Sequence, residues 1–438
     1  MRFPKAPVEV ITSTFADVTF PEPYFPPVVT EGIFIRRAEP TLRSQAAPAQ
    51  QAAVRSGAYG ARSQRVSRMK RLVTLLLPVI SIAVLFIIAE TAIRFYHLVR
   101  WDIPILAPGS AAEPGGFGAI TLDVELGWRA TEDYQFSGVV ADYAGEQYPV
   151  SMSQDERGFR MFGDLESRKP RVFVIGDSHT QAAGASDDRT YYAVVGQALD
   201  IEVFAYGTGG FGSLQELMVL EKYVEIVQPD LVLWQFSVND LVDNSPDMER
   251  ETGVVQQGMT RPYWRDGRVQ YILPQGGSVR LRRLSLQYCR VCRTITSRWD
   301  RVRATAARNP RVVEARIAPG QDLHEVFLES VQATDEVMAE ARRVAGETPI
   351  AALIVGGDRE SGVASRQALA EVARLQGMTV LTEVHEALLA VEDSGSVVRQ
   401  ADGAHWNEPG HRIIGEALAD ALRRRFPEIF DSAAVMDP

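Results

Sequence analysis

Two short blocks, far apart in the chain, hold the residue types of a serine nucleophile and its base. Ser178 closes the run Val174-Ile175-Gly176-Asp177-Ser178-His179-Thr180, where a continuous apolar stretch meets a polar Gly-Asp-Ser turn. A hydroxyl there sits at the carboxyl end of a buried strand, the place where α/β proteins meet their ligands. A serine hydroxyl needs a base to take its proton, and histidine suits that task near neutral pH. Asp402-Gly403-Ala404-His405 supplies one, followed by Trp406-Asn407-Glu408-Pro409-Gly410 and an amphipathic helix from about His411. Asp402 precedes His405 by three residues, so one turn can present both an imidazole and the carboxylate that fixes its tautomer.

An attacked carbonyl develops negative charge on oxygen, and donors aimed at that oxygen are the third requirement. Gly210 lies just after the apolar run IEVFAYG, in AYGTGGFGS, and lacks a Cβ that would hinder approach to its N–H. Asn239 ends a further run, in Ser237-Val238-Asn239-Asp240, and offers a side-chain amide. With the Ser178 N–H these make three donors, each typically worth about 3 kcal/mol in the transition state. Gly207 and Gly209 stay open as alternatives to Gly210.

Other chemistries fit less well. Gly207-Thr208-Gly209-Gly210-Phe211-Gly212 is a literal G-x-G-x-x-G after a strand. It follows the second strand rather than opening the domain, and no acidic residue ends a strand at the spacing of a dinucleotide site, so no cofactor is expected. His405, Glu408 and His411 suggest metal ligation, but Pro409 and Gly410 interrupt the helix that would align them, so no metal is expected. Asp177 and Asp240 read as turn-bonding residues, and His179 as a neighbour of the nucleophile. Cys289 and Cys292 are the chain's two cysteines. A lone pair cannot complete a four-ligand zinc site, and a local disulfide or idle thiols is the expectation. The net charge of −10 argues against nucleic acid as a partner.

The elements that must position these groups are legible as alternation. VFVIGDS, IEVFAYG, DLVLWQFS, PIAALIVGG and MTVLTEV are short apolar runs of the kind buried on both faces. Helical patterns such as SLQELMVLEKYVEIV and SRQALAEVARLQG lie between them. The expected fold is α/β: a three-layer α/β/α sandwich, flavodoxin-like, with about five parallel strands. Residues 151–428 form this domain, with an insertion at about 245–320. TRPYWRDGRVQYIL in that insertion reads as a hairpin around Asp266-Gly267, followed by an arginine-dense amphipathic stretch. Residues 96–150 are a connector with short strands in LGWRA, YQFSGVVADY and YPVSMS.

Leu72 to Ala89 is 18 residues without a charge, enough for a membrane-spanning helix. Residues 69–95 are therefore expected to be an anchor. Arg62, Arg65, Arg68, Lys70 and Arg71 precede it closely, while Arg94 and Arg100 follow. That bias places the amino-terminal side in the cytoplasm. A signal peptide beginning at Met69 competes, but Glu90 and Arg94 occupy its cleavage zone. Residues 1–68 read as disordered, or as upstream of the true start at Met69.

Four blocks, GDSHT, YGTGGFG, SVND and DGAH, resemble those of the SGNH (GDSL-type) serine hydrolases, in that family's order and across residues 170–420. The lead-in from ELGWR to DERGFR is similar to that of membrane-anchored bacterial members. The resemblance implies Ser178 as nucleophile, Gly210 and Asn239 at the oxyanion hole, His405 as base and Asp402 as its orienting carboxylate. SVND lacks the glycine two residues before asparagine that many members carry, and Ala205 stands where an asparagine is common. The implied function is hydrolysis of carboxylic esters, acyl or acetyl esters of cell-envelope glycans or lipids. O-acyl transfer to an exported polysaccharide and a non-catalytic glycan-binding role are the alternatives. The implied place is the bacterial inner membrane, single-pass, with the catalytic domain periplasmic.

Overall fold

The computed structural model describes residues 53–101, 105–106, 119–252, 260–272, 288–292, 294–295 and 310–431. The chain divides into two units, Met1–Ala89 and Glu90–Pro438. Helix α1, Ala53–Trp101, begins in the first. Its Leu76–Val99 portion, 24 residues of mean hydropathy 2.4 with none of that stretch buried, is long and apolar enough to cross a membrane. The helix begins at Ala53, inside the tract read as disordered. Once an apolar helix has nucleated, each added residue gains a hydrogen bond at little cost, and Ala, Arg and Gln are good formers. Residues 1–52 lie outside the described residues.

The second unit opens with two small antiparallel pairs, β1 (Ile120–Leu122) with β2 (Trp128–Ala130), and β3 (Gln135–Ala141) with β4 (Gln147–Ser153). Then follow β5 (Met161–Phe162), β6 (Arg171–Gly176), α2 (Ser178–Gln181), α3 (Tyr191–Leu199), β7 (Glu202–Gly207), α4 (Ser213–Val227) and β8 (Leu231–Ser237). The short helix α5 (Asp240–Asp243) leads into the insertion, which supplies α6 (Pro246–Thr252), β9 (Arg261–Arg265), β10 (Arg268–Ile272) and α7 (Pro310–Ile317). The remainder is α8 (His324–Ala345), β11 (Ile350–Val355), α9 (Val363–Leu375), β12 (Thr379–Val380), α10 (Thr382–Asp393), α11 (Glu408–Arg425) and α12 (Pro427–Phe430).

Six strands form the main sheet in the order β12-β11-β8-β6-β7-β5. Five are parallel, as expected, and β5 adds an antiparallel edge to β7. The last apolar run, MTVLTEV, yields only a two-residue strand, because Thr382 already begins α10.

Strict alternation divides the strand residues between two cores. Phe173, Ile175, Phe204, Tyr206, Val232, Trp234 and Phe236 face one cluster, which α4, α8 and α9 complete with Leu217, Leu220, Met338 and Leu369. Val172, Val174, Val203, Ala205, Leu231 and Leu233 face the other, closed by Tyr191, Leu388, Ile414 and Leu418 from α3, α10 and α11. Each such side chain contributes roughly 2 kcal/mol of burial, which is why these runs carry no polar face. From β6 the chain steps to β7 on one side and then to β8 on the other. That reversal opens a crevice at the carboxyl end of β6, the usual ligand position in such sheets.

The insertion hairpin forms where Asp266-Gly267 predicts it. Arg265 pairs with Arg268 across the two-residue turn, and both turn residues have positive φ, +53° and +69°.

Candidate active site

Ser178 is the first residue of α2, immediately beyond β6. The turn is fixed from both sides. Asp177 caps α2, its Oδ1 accepting from His179 N at 2.9 Å. Gln235 of β8 reaches across, its Oε1 accepting from Thr180 Oγ1 at 2.9 Å and from Asp177 N at 3.3 Å. A Cβ on Gly176 would lie 2.5 Å from both Gln235 Oε1 and Thr180 Oγ1, so only glycine fits between these side chains. The Ser178 hydroxyl stays partly exposed at the sheet edge.

His405 arrives on the loop ahead of α11, whose start is set by Asn407 accepting from Gly410 N at 3.0 Å. Its Nε2 lies 2.8 Å from Ser178 Oγ, and its Nδ1 lies 2.6 Å from Asp402 Oδ2. Asp402 Oδ1 accepts from Ala404 N at 2.9 Å and His405 N at 3.0 Å, so one oxygen shapes the turn and the other holds the ring. A proton on Nδ1 satisfies Asp402 and leaves the Nε2 lone pair facing the serine hydroxyl. The loop is braced by Arg399, which donates to Ala404 O at 3.2 Å and Gly357 O at 3.1 Å and pairs with Glu392. The β3–β4 tip pairs with it as well: Tyr143 N donates to Arg399 O, and Ala401 N to Ala141 O.

Charge follows from this geometry. Burial pushes the His405 pKa down, but the hydrogen bond and charge of Asp402, with the charge of Asp177, outweigh it and hold it above its ordinary value. Burial raises the Asp402 pKa, and its bonds to His405 and the turn amides more than reverse that, so it stays ionised through the whole neutral range. Behind the site lie further buried carboxyls. Desolvation and mutual repulsion lift Glu216 and Asp240 well above the carboxylate range, and Glu249 is pushed up to about 7, first by burial.

Gly210 follows β7 and Asn239 follows β8, the strands on either side of β6. Gly207, Gly209 and Gly210 now separate by role. A Cβ on Gly207 would lie 2.3 Å from Gln181 N, so that glycine packs against α2. The Gly209 N–H donates to Gln181 Oε1 at 3.1 Å. Among the described residues, no oxygen accepts from Gly210 N. Asn239 is exposed, and its Nδ2 donates to Asp243 Oδ2 at 2.8 Å, which commits one amide hydrogen and leaves the other.

His405, Glu408 and His411 do not converge. Glu408 accepts from Ser186 N and Oγ, while His411 is buried, stacked on Tyr191, with Nδ1 toward Tyr191 N. Among the described residues, no cluster of His, Cys, Asp and Glu is arranged to hold a metal. His179 is buried against Trp406, ring centroids 4.7 Å apart, rather than open to the crevice. Asp240 bonds a turn amide, Ser237 N at 3.2 Å. Cys289 and Cys292 form a disulfide. Sequence reasoning missed Trp128, Gln181, Gln235, Asp243, Arg261 and Arg399. These are polar or amphipathic residues inside strands, helices and loops, and only three-dimensional proximity reveals their partners.

No protein-family model matches the chain, and no curated protein is similar to it. Solved structures do match. A lipase/acylhydrolase from Enterococcus faecalis is 16% identical, covering 58% of this chain and 96% of its own, with a TM-score of 0.33. A psychrotrophic esterase from Pseudoalteromonas sp. is 11% identical over 59% of this chain and 100% of its own, with a TM-score of 0.32. A family 3 carbohydrate esterase of Clostridium thermocellum is 10% identical over 60% of this chain and 100% of its own, with a TM-score of 0.33.

Proposed function

We propose that this chain is a membrane-anchored serine hydrolase of the SGNH type that cleaves carboxylic esters. The observation that carries the reading is the hydrogen-bonded line Ser178 Oγ, His405 Nε2, His405 Nδ1, Asp402 Oδ2, with steps of 2.8 and 2.6 Å at the carboxyl end of the central strand. The reaction follows from that line. Ser178 Oγ attacks the ester carbonyl carbon and passes its proton to His405 Nε2. Asp402 stabilises the imidazolium, and the N–H groups of Ser178 and Gly210 with the Asn239 amide receive the oxyanion. The C–O bond then breaks, His405 protonates the departing alcohol, and an acyl ester remains on Ser178. Water, deprotonated by His405, attacks that ester, and the acid leaves with Ser178 reprotonated.

Asp402 and His405 are 49% and 34% exposed, so the crevice is open, which suits an ester on a bulky alcohol such as an envelope glycan or lipid better than a small enclosed substrate. The same openness admits a sugar hydroxyl in place of water, which would make the reaction O-acyl transfer. Two further observations support an extracytoplasmic site: the basic residues ahead of Leu76–Val99, and the Cys289–Cys292 disulfide, a bond that persists in oxidising compartments.

A fluorophosphonate probe on the full-length chain tests the nucleophile. Labelling is expected in the wild type and lost in Ser178→Ala. An unlabelled wild type, or label retained in the variant, overturns the assignment. Adding oligosaccharide acceptors to p-nitrophenyl acetate turnover separates the two outcomes, since acyl groups on the sugar mean transfer.

A further inference from the structure

Resting on the hydrolase reading, we propose that Trp128, Arg261 and Asp243 are positioning residues that set both side donors of the oxyanion pocket through one connected hydrogen-bond chain. Trp128 comes from β2 in the connector, Arg261 from the insertion hairpin and Asp243 from α5. None belongs to the strands that carry Ser178 and Gly210.

The Trp128 indole N–H donates to Gly209 O at 3.1 Å. In a trans peptide the next N–H points opposite to that carbonyl, so the indole turns the Gly210 N–H away from the protein interior. The loop lies beside the nucleophile: a Cβ on Gly209 would be 3.9 Å from Ser178 Cβ. Arg261 grips the same loop one residue on. Its Nη2 donates to Gly210 O at 2.7 Å and to Asp243 Oδ1 at 3.1 Å. The other Asp243 oxygen accepts from Asn239 Nδ2 at 2.8 Å. The chain Gly210–Arg261–Asp243–Asn239 therefore ties the glycine after β7 to the asparagine after β8, across the strand that bears Ser178.

Arg261 and Asp243 are each 2% exposed, so water does not loosen the step between them. The guanidinium lies 4.8 Å from the Trp128 ring centroid, and its Nη1 donates to Gln215 Oε1 at 2.9 Å. Its Nε is 2.9 Å from Glu249 Oε1 without hydrogen-bond alignment. Gly127, at φ +79°, makes the contact sterically possible, because a Cβ there would lie 1.9 Å from Thr260 O. Donors held this way need no rearrangement when charge appears on the substrate.

The test uses the full-length chain in detergent with p-nitrophenyl acetate and a phenylboronic acid, whose serine adduct carries a tetrahedral anionic centre. Trp128→Phe keeps the ring and removes only the N–H. Arg261→Lys keeps the charge and removes the fork. Each is expected to lower kcat about 10- to 100-fold with KM within about twofold, the signature of a misplaced transition-state donor. Boronate affinity should fall in parallel, and Arg261→Lys should cost less in an Asn239→Ala background than alone, because one of the two donors that Arg261 sets is then already gone. A kcat within twofold of wild type for Trp128→Phe overturns the proposal, as does full additivity of Arg261→Lys with Asn239→Ala. If Arg261→Lys fails to fold, Trp128→Phe decides. Absence of Ser178-dependent turnover in the wild type instead removes the hydrolase reading, and this one with it.

Discussion

Replacing Asp402 with asparagine separates the two tasks of its carboxylate. One oxygen organises the turn by accepting from Ala404 N and His405 N, and an asparagine Oδ1 can keep both bonds. The other oxygen accepts from His405 Nδ1 at 2.6 Å. In Asp402→Asn that position becomes an NH2 group, which can only donate. The imidazole then accepts at Nδ1 and carries its proton on Nε2, aimed at the Ser178 hydroxyl 2.8 Å away. The base is thus in the wrong tautomer while the loop keeps its shape. A protease triad with this change loses about 10⁴ in kcat, equivalent to about 5.5 kcal/mol of barrier, and the same order is expected here. The acid limb should move too. In the wild type, Asp402 holds the His405 pKa above its ordinary value, so activity rises with pH through that raised value as the base becomes neutral. Without the carboxylate the limb shifts to lower pH. The assay is kcat for p-nitrophenyl acetate from pH 5 to 9, with fluorophosphonate labelling rates and a thermal melt as the control for folding. A variant that keeps its melting temperature and stays within about tenfold of wild-type kcat refutes the role given to Asp402.

Further outcomes are expected elsewhere. Gly207→Ala forces a Cβ to 2.3 Å from Gln181 N and 2.5 Å from Thr180 C, both backbone, and should destabilise the fold by about 3 kcal/mol or more, read as a lower denaturation midpoint. His385 and His411 are buried and held neutral, His385 down to about 3, chiefly by desolvation and then by nearby cations. Their folded pKa values lie below the unfolded one, so stability falls as pH drops below about 6.5, by roughly 1.4 kcal/mol per pH unit for each histidine. Both His385 nitrogens lack a partner among the described residues, so His385→Leu should remove one histidine's share of that slope in denaturation curves at pH 7 and 5. In sealed inside-out vesicles, protease should spare the domain beyond Val99, and Cys289 and Cys292 should alkylate only after permeabilisation and reduction; cleavage of the intact vesicles would reverse the orientation.

The sheet was readable in the sequence because its strands are buried on both faces. VFVIG, EVFAYG and LVLWQFS are dominated by apolar residues on both faces, and their helices show clear amphipathic spacing. That Ser178, His405 and Asp402 would meet was readable because a serine, a histidine and a carboxylate in such turns are scarce, and the structure brings them into one hydrogen-bonded line. Assignment among Gly207, Gly209 and Gly210 was not, since it depends on where Gln181 points. Nor was Arg261 readable. An arginine at the start of a hairpin strand looks solvent-facing until Asp243, Glu249 and the Trp128 ring surround it. The connector gave strands but not their partners, because pairing of the β3–β4 tip with the loop at Arg399 joins segments distant in sequence.

His405 and Asp402 share one turn, and every strand of the main sheet precedes it in the chain. Synthesis runs from the amino terminus, so the sheet and the Ser178 turn emerge before His405 does. A partly made chain would carry an unactivated serine, unable to attack esters it meets on the way to its final compartment. Reactivity would switch on only when the DGAH turn docks and α11 closes its side of the core. On the proposed hydrolase reading, the order of residues along the chain would act as a timer, with Ser178 laid down early and the histidine that would arm it added late.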